Sequence, residues 1–246
     1  MIRSHRLRAA AGNSSGGAVV FDFTGNVGGS LPAGLYDRKA NVSGLTQTIS
    51  FVSAGLSIPG DAPNDNNSYP IAVNSSFSGD YLFQLSTRID QDSSGGNWCS
   101  DAGLALFNTG ITSSWVWKWG TLSGRITAQN NCPTPYLYGT NVNYQMSQPN
   151  SGQVLQTPYV ADGGFVTMHL RHLSSQSKTT YNVTLGSKDW TESGTAIGTQ
   201  NTNTNGQPNT GIIEVPNSFS GTYYVGIGAD DDTNACIIDG FRYQKL

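Results

Sequence analysis

Three tryptophans at alternate positions, Trp115, Trp117 and Trp119, form the densest aromatic feature of the sequence. Alternate residues of a β-strand point to the same side, so on a strand the three indoles share one face. Such a face can stack on the apolar side of a sugar ring or on a partner protein. It can equally fill the space between two packed sheets, although three successive indoles would crowd a core about 10 Å thick. Both interpretations stay open, and the three residues are our first candidates for glycan or partner contact.

The second aromatic segment, residues 130–139, contains Pro133 and Pro135 and then Tyr136 and Tyr138. Each proline lacks a backbone donor and restricts the residue before it. We therefore predict a rigid connector and not a central strand. Rigid loops that carry aromatic side chains are common recognition elements, and structural corners are equally common. Tyr136 and Tyr138 join the candidates for glycan or partner contact.

Two oxygen-rich clusters raise the question of a metal ion. One consists of Asp230, Asp231 and Asp232 with Asn234, and the other lies within residues 61–66. Carboxylate and amide oxygens are ligands that Ca²⁺ prefers, but neither spacing matches an EF-hand loop. Solvated turns between strands explain both clusters. We predict no cofactor and no metal site, with Asp230, Asp231 and Asp232 as the Ca²⁺ ligands if one exists.

Acid catalysis has little support, because glutamate occurs only at Glu192 and Glu214, which lie far apart in the chain. A glycosidase needs two carboxyl groups about 5–10 Å apart across the scissile bond. The nearest alternate pair of acids, Asp90 and Asp92, runs into a glycine-rich loop. We therefore predict no catalytic residues and no enzymatic activity, with a polysaccharide hydrolase as the least favoured alternative.

Nucleophilic catalysis has no better support. His169 and His172 precede Ser174 and Ser175, but the four fit no nucleophile motif such as GxSxG. His169 and Arg171 alternate along a strand pattern, which predicts that both lie on a solvated face.

The elements that must position these residues are strands. Glycine and polar turn residues separate short apolar runs over the chain of 246 residues, and no helical period is present. We predict strands at residues 19–24, 45–58, 81–90, 103–108, 115–119, 125–129, 164–173, 179–185, 222–229 and 235–243. So many strands form a sandwich or a barrel, and we predict a two-sheet antiparallel jelly-roll sandwich, because sheets with this many strands tend to split into two packed layers. The sandwich is predicted to be one domain, residues 18–246.

Residues 1–17 are predicted to form an extended basic arm that contains Arg3, His5, Arg6 and Arg8. The formal net charge of −3 gives no overall reason to bind nucleic acid or an anionic membrane. No apolar stretch is long enough for a bilayer span or a signal peptide, which predicts synthesis in a cytoplasm. The three cysteines predict buried thiols, with a Cys99–Cys132 bridge as the alternative.

The C-terminal residues 222–232 (TYYVGIGADDD) and 236–243 (CIIDGFRY) resemble the closing strands of concanavalin A-like lectin/glucanase (laminin-G-type) domains. Residues 178–186 (KTTYNVTLG) are similar to the strand that often precedes them. The resemblance implies a concanavalin A-like sandwich over residues 19–243. The glucanases of this family carry a Glu-x-Asp-x-x-Glu type motif that the sequence lacks, so hydrolase activity is not implied.

The middle of the chain, through residues 98–107 (WCSDAGLALF), 117–120 (WKWG) and 125–135 (RITAQNNCPTP), resembles virion structural proteins of tailed bacteriophages, notably those of cyanobacterial hosts. This resemblance implies a capsid decoration (cement) protein on the virion surface. The expected partners are the major capsid protein or other virion proteins, reached through the basic arm, and further copies of the chain, for instance in a trimer. The alternative is a carbohydrate-binding receptor module of a tail or fibre, with host surface glycans as ligands.

Overall fold

The computed structural model describes residues 17–41, 48–59, 70–88, 98–108, 110–111, 122–129, 132–140, 153–156, 163–194, 213–215, 219–229 and 235–246. Regular structure within these ranges is β-strand apart from two single-turn 3-10 helices, Arg38–Ala40 and Ser174–Gln176. In chain order the strands are β1 (Val19–Asp22), β2 (Leu35–Asp37), β3 (Ser50–Val52), β4 (Gly55–Ile58), β5 (Ile71–Val73), β6 (Tyr81–Arg88), β7 (Trp98–Phe107), β8 (Leu122–Gln129), β9 (Cys132–Thr140), β10 (Gln153–Gln156), β11 (Phe165–Leu173), β12 (Lys178–Leu185), β13 (Ile213–Val215), β14 (Tyr224–Ala229) and β15 (Cys236–Lys245).

The described strands form two antiparallel sheets. The first has eight strands in the order β13-β12-β11-β6-β15-β4-β3, with β1 beside β4 on the same edge of β15. The second has seven strands in the order β10-β9-β8-β7-β14-β5-β2. This arrangement confirms the predicted all-β, two-sheet antiparallel sandwich.

One hydrophobic core fills the space between the sheets. The eight-stranded sheet contributes Phe83, Leu85 and Leu170, and the seven-stranded sheet contributes Leu104 and Val225. These residues lie at alternate strand positions, so their neighbours face outward, as the period-2 pattern requires. The sandwich therefore has two outer faces on which a functional site can be built.

The single strand predicted for residues 45–58 is wrong. Its described part is a tight hairpin, in which Val52 of β3 pairs with Gly55 of β4. Gly55 has a φ of +151°, and a side chain there would collide with the backbone of Ile238 and Asp239 on β15. Glycine permits this close approach, because it has no Cβ.

The prediction that residues 130–139 avoid a central strand is also wrong, because β9 lies between β8 and β10. Thr127 pairs with Tyr136 and Gln129 pairs with Cys132, so one β8 residue faces three β9 residues between these pairs. Strand β10 pairs with β9 only from Tyr136 to Gly139. Both prolines therefore lie in a bulge, where no ladder hydrogen bond between the described strands requires their missing donors.

The predicted arm lies outside the described residues apart from Gly17, so the division at residues 17 and 18 stays a prediction. Strand β1 begins two residues later and pairs Val19 with Tyr243. Of the cysteines, Cys236 is buried in the core, whereas Cys99 and Cys132 lie on strands that β8 separates. No helix among the described residues has the length and apolar character to cross a bilayer.

Candidate functional site

A second, smaller apolar cluster lies on the outer face of the seven-stranded sheet. Ala72, Ala105 and Phe107 are buried there, on the side of the sheet opposite the main core, and Ile111 and Tyr224 pack against them. Ile111 comes four residues after the end of β7, so the chain turns back at that point and covers the sheet it has just left.

Arg38 holds this returning segment in place. Its side chain is fully buried, and Nε donates a hydrogen bond of 2.8 Å to the Ile111 carbonyl oxygen. The guanidinium carbon lies 5.4 Å from the centre of the Phe107 ring, a cation–π geometry. Burial lowers the pKa of Arg38 to about 10, which leaves it charged at neutral pH. A buried cation thus fixes the start of the segment that leads to the tryptophans.

Trp115, Trp117 and Trp119 lie outside the described residues. Both ends of the connection that contains them are anchored on the same sheet, however. Ile111 packs on its outer face, and Leu122 begins β8 opposite Leu106 of β7. The tryptophan segment therefore starts and ends at the seven-stranded sheet.

The register places the two tyrosine positions on the same outer face. Leu137 pairs with Ile126, which pairs with Ala102, and Ala102 belongs to the main core. Because side chains alternate along a strand, the positions of Tyr136 and Tyr138 belong to the outer face. Their cross-strand partners are Thr127 and Arg125. The fold thus assigns the predicted tyrosines and the anchor of the predicted tryptophans to one face, which is our candidate site.

The remaining predicted site residues lie outside the described part of the chain: Arg3, His5, Arg6, Arg8, Asp230, Asp231 and Asp232. The acidic run begins directly after β14, whose last residue, Ala229, pairs with Ala102. Among the residues that the structure describes, no three His, Cys, Asp or Glu side chains lie together as metal ligands. The assignment of these residues stays a prediction.

The prediction of a solvated face for His169 is wrong, because its side chain is fully buried. The loop at residues 186–194 covers this part of the outer face of the eight-stranded sheet, with the backbone N–H of Asp189 bonded to Thr167 Oγ1 at 3.1 Å. His169 contacts the side chains of Gln84 and Thr184, each at 2.8 Å. Burial lowers its pKa to about 4, although the nearby carboxylates of Glu192 and Asp189 oppose the shift.

Neither histidine is arranged as a catalytic base. His172 Nε2 accepts a hydrogen bond from the Phe219 backbone N–H at 2.8 Å, and Nδ1 faces the Gly79 carbonyl oxygen at 3.3 Å. The hydroxyl groups of Ser174 and Ser175 both donate to the carboxylate of Asp80. The serines are therefore occupied by an acid and not by a base that could activate them.

The two glutamates come closer than their spacing in the sequence indicates. Glu214 pairs with Thr180, and Thr180 pairs with Arg171, whose guanidinium group contacts the carboxylate of Glu192. Because paired positions share a face, the position of Glu214 belongs to the outer face of the eight-stranded sheet, where Glu192 of the loop contacts Arg171. Arg171 binds the carboxylate of Glu192, so Glu192 is not free to donate a proton to a leaving group.

No protein-family model matches the chain, and no curated protein sequence is significantly similar to it. Solved structures with the same fold are numerous. The winged bean acidic lectin complexed with methyl-α-D-galactose has a TM-score of 0.53 and 10% identity over 93% of this chain and 98% of that chain. The basic winged bean lectin with Tn-antigen has a TM-score of 0.52 and 9% identity over 94% and 99%.

A legume lectin-like domain from Entamoeba histolytica has a TM-score of 0.50 and 11% identity over 81% of this chain and 88% of that chain. At these identities the likeness is one of fold. The sandwich is thus legume lectin-like and of the concanavalin A type, as the resemblance of the C-terminal strands implies.

Proposed function

We propose that this protein is a non-enzymatic carbohydrate-binding module that binds glycans at the outer face of the seven-stranded sheet. The observation that carries the proposal is the Arg38–Ile111 anchor, which starts the tryptophan segment on the face that holds the positions of Tyr136 and Tyr138. The lectin-like fold supports carbohydrate over a protein partner, because the winged bean lectins of this fold are complexed with Tn-antigen and with methyl-α-D-galactose.

The chemistry of the residues agrees with a sugar ligand. Indole and phenol rings present large apolar faces that can cover the C–H side of a pyranose, while their polar edges stay in contact with water. Arginine and threonine at the neighbouring β8 positions offer donors and acceptors for hydroxyl groups. A mostly apolar surface with a few polar groups is typical of small-ligand sites.

The test is a triple substitution, Trp115→Ala with Trp117→Ala and Trp119→Ala. We expect at least a roughly tenfold loss of affinity for the best ligand of a glycan array, since about 1.4 kcal/mol of lost stacking corresponds to a tenfold change. The affinity is measured by calorimetry, starting from methyl-α-D-galactose and a Tn-antigen glycopeptide. The Trp190→Phe variant is the matched control, because Trp190 packs on Gly240 of the other sheet.

Two results would contradict the proposal: no binding to any glycan by the unaltered protein, or binding that the triple substitution leaves unchanged. The titrations are run with EDTA and again with Ca²⁺. We expect equal affinities, in line with the prediction of no cofactor. A dependence on Ca²⁺ would instead direct attention to Asp230, Asp231 and Asp232.

Arg38→Met tests the anchor. The substitution removes the donor to the Ile111 carbonyl oxygen and the cation over Phe107, so we expect a loss of about 1–3 kcal/mol in the free energy of unfolding. We also expect severalfold weaker glycan binding at unchanged stoichiometry, because Arg38 positions the tryptophan segment. The neighbouring Lys39→Met is the control, since Lys39 is exposed and, among the described residues, its side chain bonds to Thr48 Oγ1 alone. Equal effects of the two substitutions would argue against the anchor.

A capsid decoration role remains the second candidate and rests on the resemblance of the middle block. It predicts that the full chain sediments with phage capsids and that a chain without residues 1–17 does not. Glycan binding without such co-sedimentation would leave the carbohydrate-binding module as the function.

A further inference from the structure

The segment at residues 186–194 is a compact Ω-loop that lies across the outer face of the eight-stranded sheet. Gly194 packs against the Leu185 carbonyl oxygen so closely that a side chain would collide with it, which brings the two ends of the loop together. The Asp189 carboxylate accepts hydrogen bonds from the backbone N–H groups of Ser193 at 3.0 Å and Gly194 at 2.6 Å. The loop is therefore held in one conformation by its own contacts.

Three of the hydrogen bonds that attach the Ω-loop to the sheet use the backbone of residues 188–190. The Lys188 backbone N–H donates to Ser86 Oγ at 2.8 Å, and the Asp189 backbone N–H donates to Thr167 Oγ1 at 3.1 Å. Gln84 Nε2 donates to the Trp190 carbonyl oxygen at 3.1 Å. The third contact links the loop to His169, because the same amide nitrogen lies 2.8 Å from His169 Nδ1.

The hydrogen-bond partners determine the proton position on His169. Arg242 can only donate, so the atom of Gln84 that it contacts is Oε1, and Nε2 must face His169. Nδ1 of His169 then accepts from Gln84, and Nε2 carries the proton toward Thr184 Oγ1 at 2.8 Å. Thr184 in turn bonds to the carboxylate of Asp189 on the loop. Each group in this series donates to the next, from Arg242 through Gln84, His169 and Thr184 to Asp189. The series requires a neutral His169, because Nδ1 must accept a hydrogen bond while Nε2 donates one.

A second proton on His169 would break this series at the contact between His169 and Gln84, the side chain that also holds the Trp190 carbonyl oxygen of the loop. Protonated Nδ1 and the amide group of Gln84 are both donors, so they repel. The carboxylate of Glu192, also on the loop, has Oε1 3.8 Å from Nδ1, but it is held by Arg171. Protonation therefore leaves a buried charge that has lost its contact with Gln84, and opening of the loop lets water solvate that charge.

We propose that the Ω-loop is an acid-released cover, which stays closed over the eight-stranded sheet while His169 is neutral and opens when His169 accepts a proton. The charged groups around His169 are Arg171 on β11, Arg242 on β15, and Asp189 and Glu192 on the loop. Strands β6 and β12 contribute uncharged partners, Gln84 and Thr184. Burial resists the charge and sets the transition near pH 4, the pKa of His169.

Hydrogen exchange across the loop tests the proposal. The amides of Lys188 and Asp189 are expected to lose at least about tenfold in protection between about pH 7 and about pH 3.5, after correction for the intrinsic exchange rate. His169→Gln is the matched variant, because a carboxamide can accept from Gln84 and donate to Thr184 without titrating. Its loop protection is expected to stay constant. Constant protection in the unaltered protein, or an equal loss in both proteins, would overturn the proposal.

A second measurement on the unaltered protein does not depend on any variant. Long-range ¹H–¹⁵N correlations show which ring nitrogen of His169 carries the proton. A proton on Nε2 alone at neutral pH, followed by protonation of Nδ1 in step with the loss of loop protection, is the expected result. A proton on Nδ1 at neutral pH, or protonation while the loop stays protected, would show that the cover does not respond to His169.

Discussion

Replacing Gly55 with alanine is expected to lower the free energy of unfolding by about 2–4 kcal/mol, because the added methyl group collides with backbone atoms. The added Cβ would lie 2.9 Å from Asp239 Cα and closer still to the Ile238 carbonyl oxygen. Both atoms belong to the backbone of β15, the strand that joins β4 and β1 to β6. The collision can therefore be relieved only by moving the centre of the eight-stranded sheet.

Gly79→Ala separates this collision from ordinary backbone strain. Gly79 also has a positive φ, +86°, but a Cβ there meets no atom within 4 Å. We expect a loss of only about 1 kcal/mol for this control, the usual cost of a left-handed conformation in alanine. Urea unfolding of the two variants measures the difference. Similar losses would mean that β15 adjusts freely and that the close packing of β3, β4 and β15 contributes little to stability.

Strand positions could be predicted where one face is apolar and the other polar. Strands β11 and β12 show this alternation clearly, and the structure confirms both within a residue or two. The tight turn before Gly55 could not be predicted by alternation, because apolar residues flank it closely on both sides and it contains neither proline nor asparagine. Strand β9 was missed for the opposite reason, since Pro133 and Pro135 look like strand breakers until the bulge that accommodates them is known.

The burial of His169 could not be predicted from its own strand. Along β11 the residues alternate as if one face met water, yet both faces are buried over most of the strand. The cover is supplied by residues 186–194, whose glycines and short polar side chains look like an ordinary solvated turn. Only the spatial contacts of Lys188 and Asp189 with β6 and β11 show that this turn folds back over the sheet.

The tryptophans and tyrosines of the candidate site could be singled out by residue type, but their shared face could not. That face depends on pairing between β7, β8 and β9, and a one-residue shift in register would exchange its two sides. The Arg38 anchor was missed altogether, because its partner Ile111 is 73 positions away and neither residue belongs to a local motif. A buried arginine is recognisable only when its carbonyl and aromatic partners are in place.

Acidification is expected to lower the free energy of unfolding by up to about 3 kcal/mol between about pH 7 and about pH 4 through His169. The pKa of His169 is about 4 in the folded protein and 6.5 as its ordinary value. The unfolded chain therefore binds the proton first as the pH falls, so stability is lost across that window and becomes constant below it. Burial also lowers the pKa of His172, which adds to the loss in the same direction.

Urea unfolding of the unaltered protein and of His169→Gln over this pH range isolates the contribution of His169, because the other titrating groups are common to both. The size of the difference also bears on the Ω-loop. If the Ω-loop can open, His169 accepts its proton in the folded protein. The loss of unfolding free energy caused by His169 then cannot exceed the free energy of opening the loop. If the two proteins differ by about 3 kcal/mol in the loss of unfolding free energy, opening of the loop costs at least that much. If the difference levels off at a smaller value, that value equals the free energy of opening. No difference at all would contradict a buried, neutral His169.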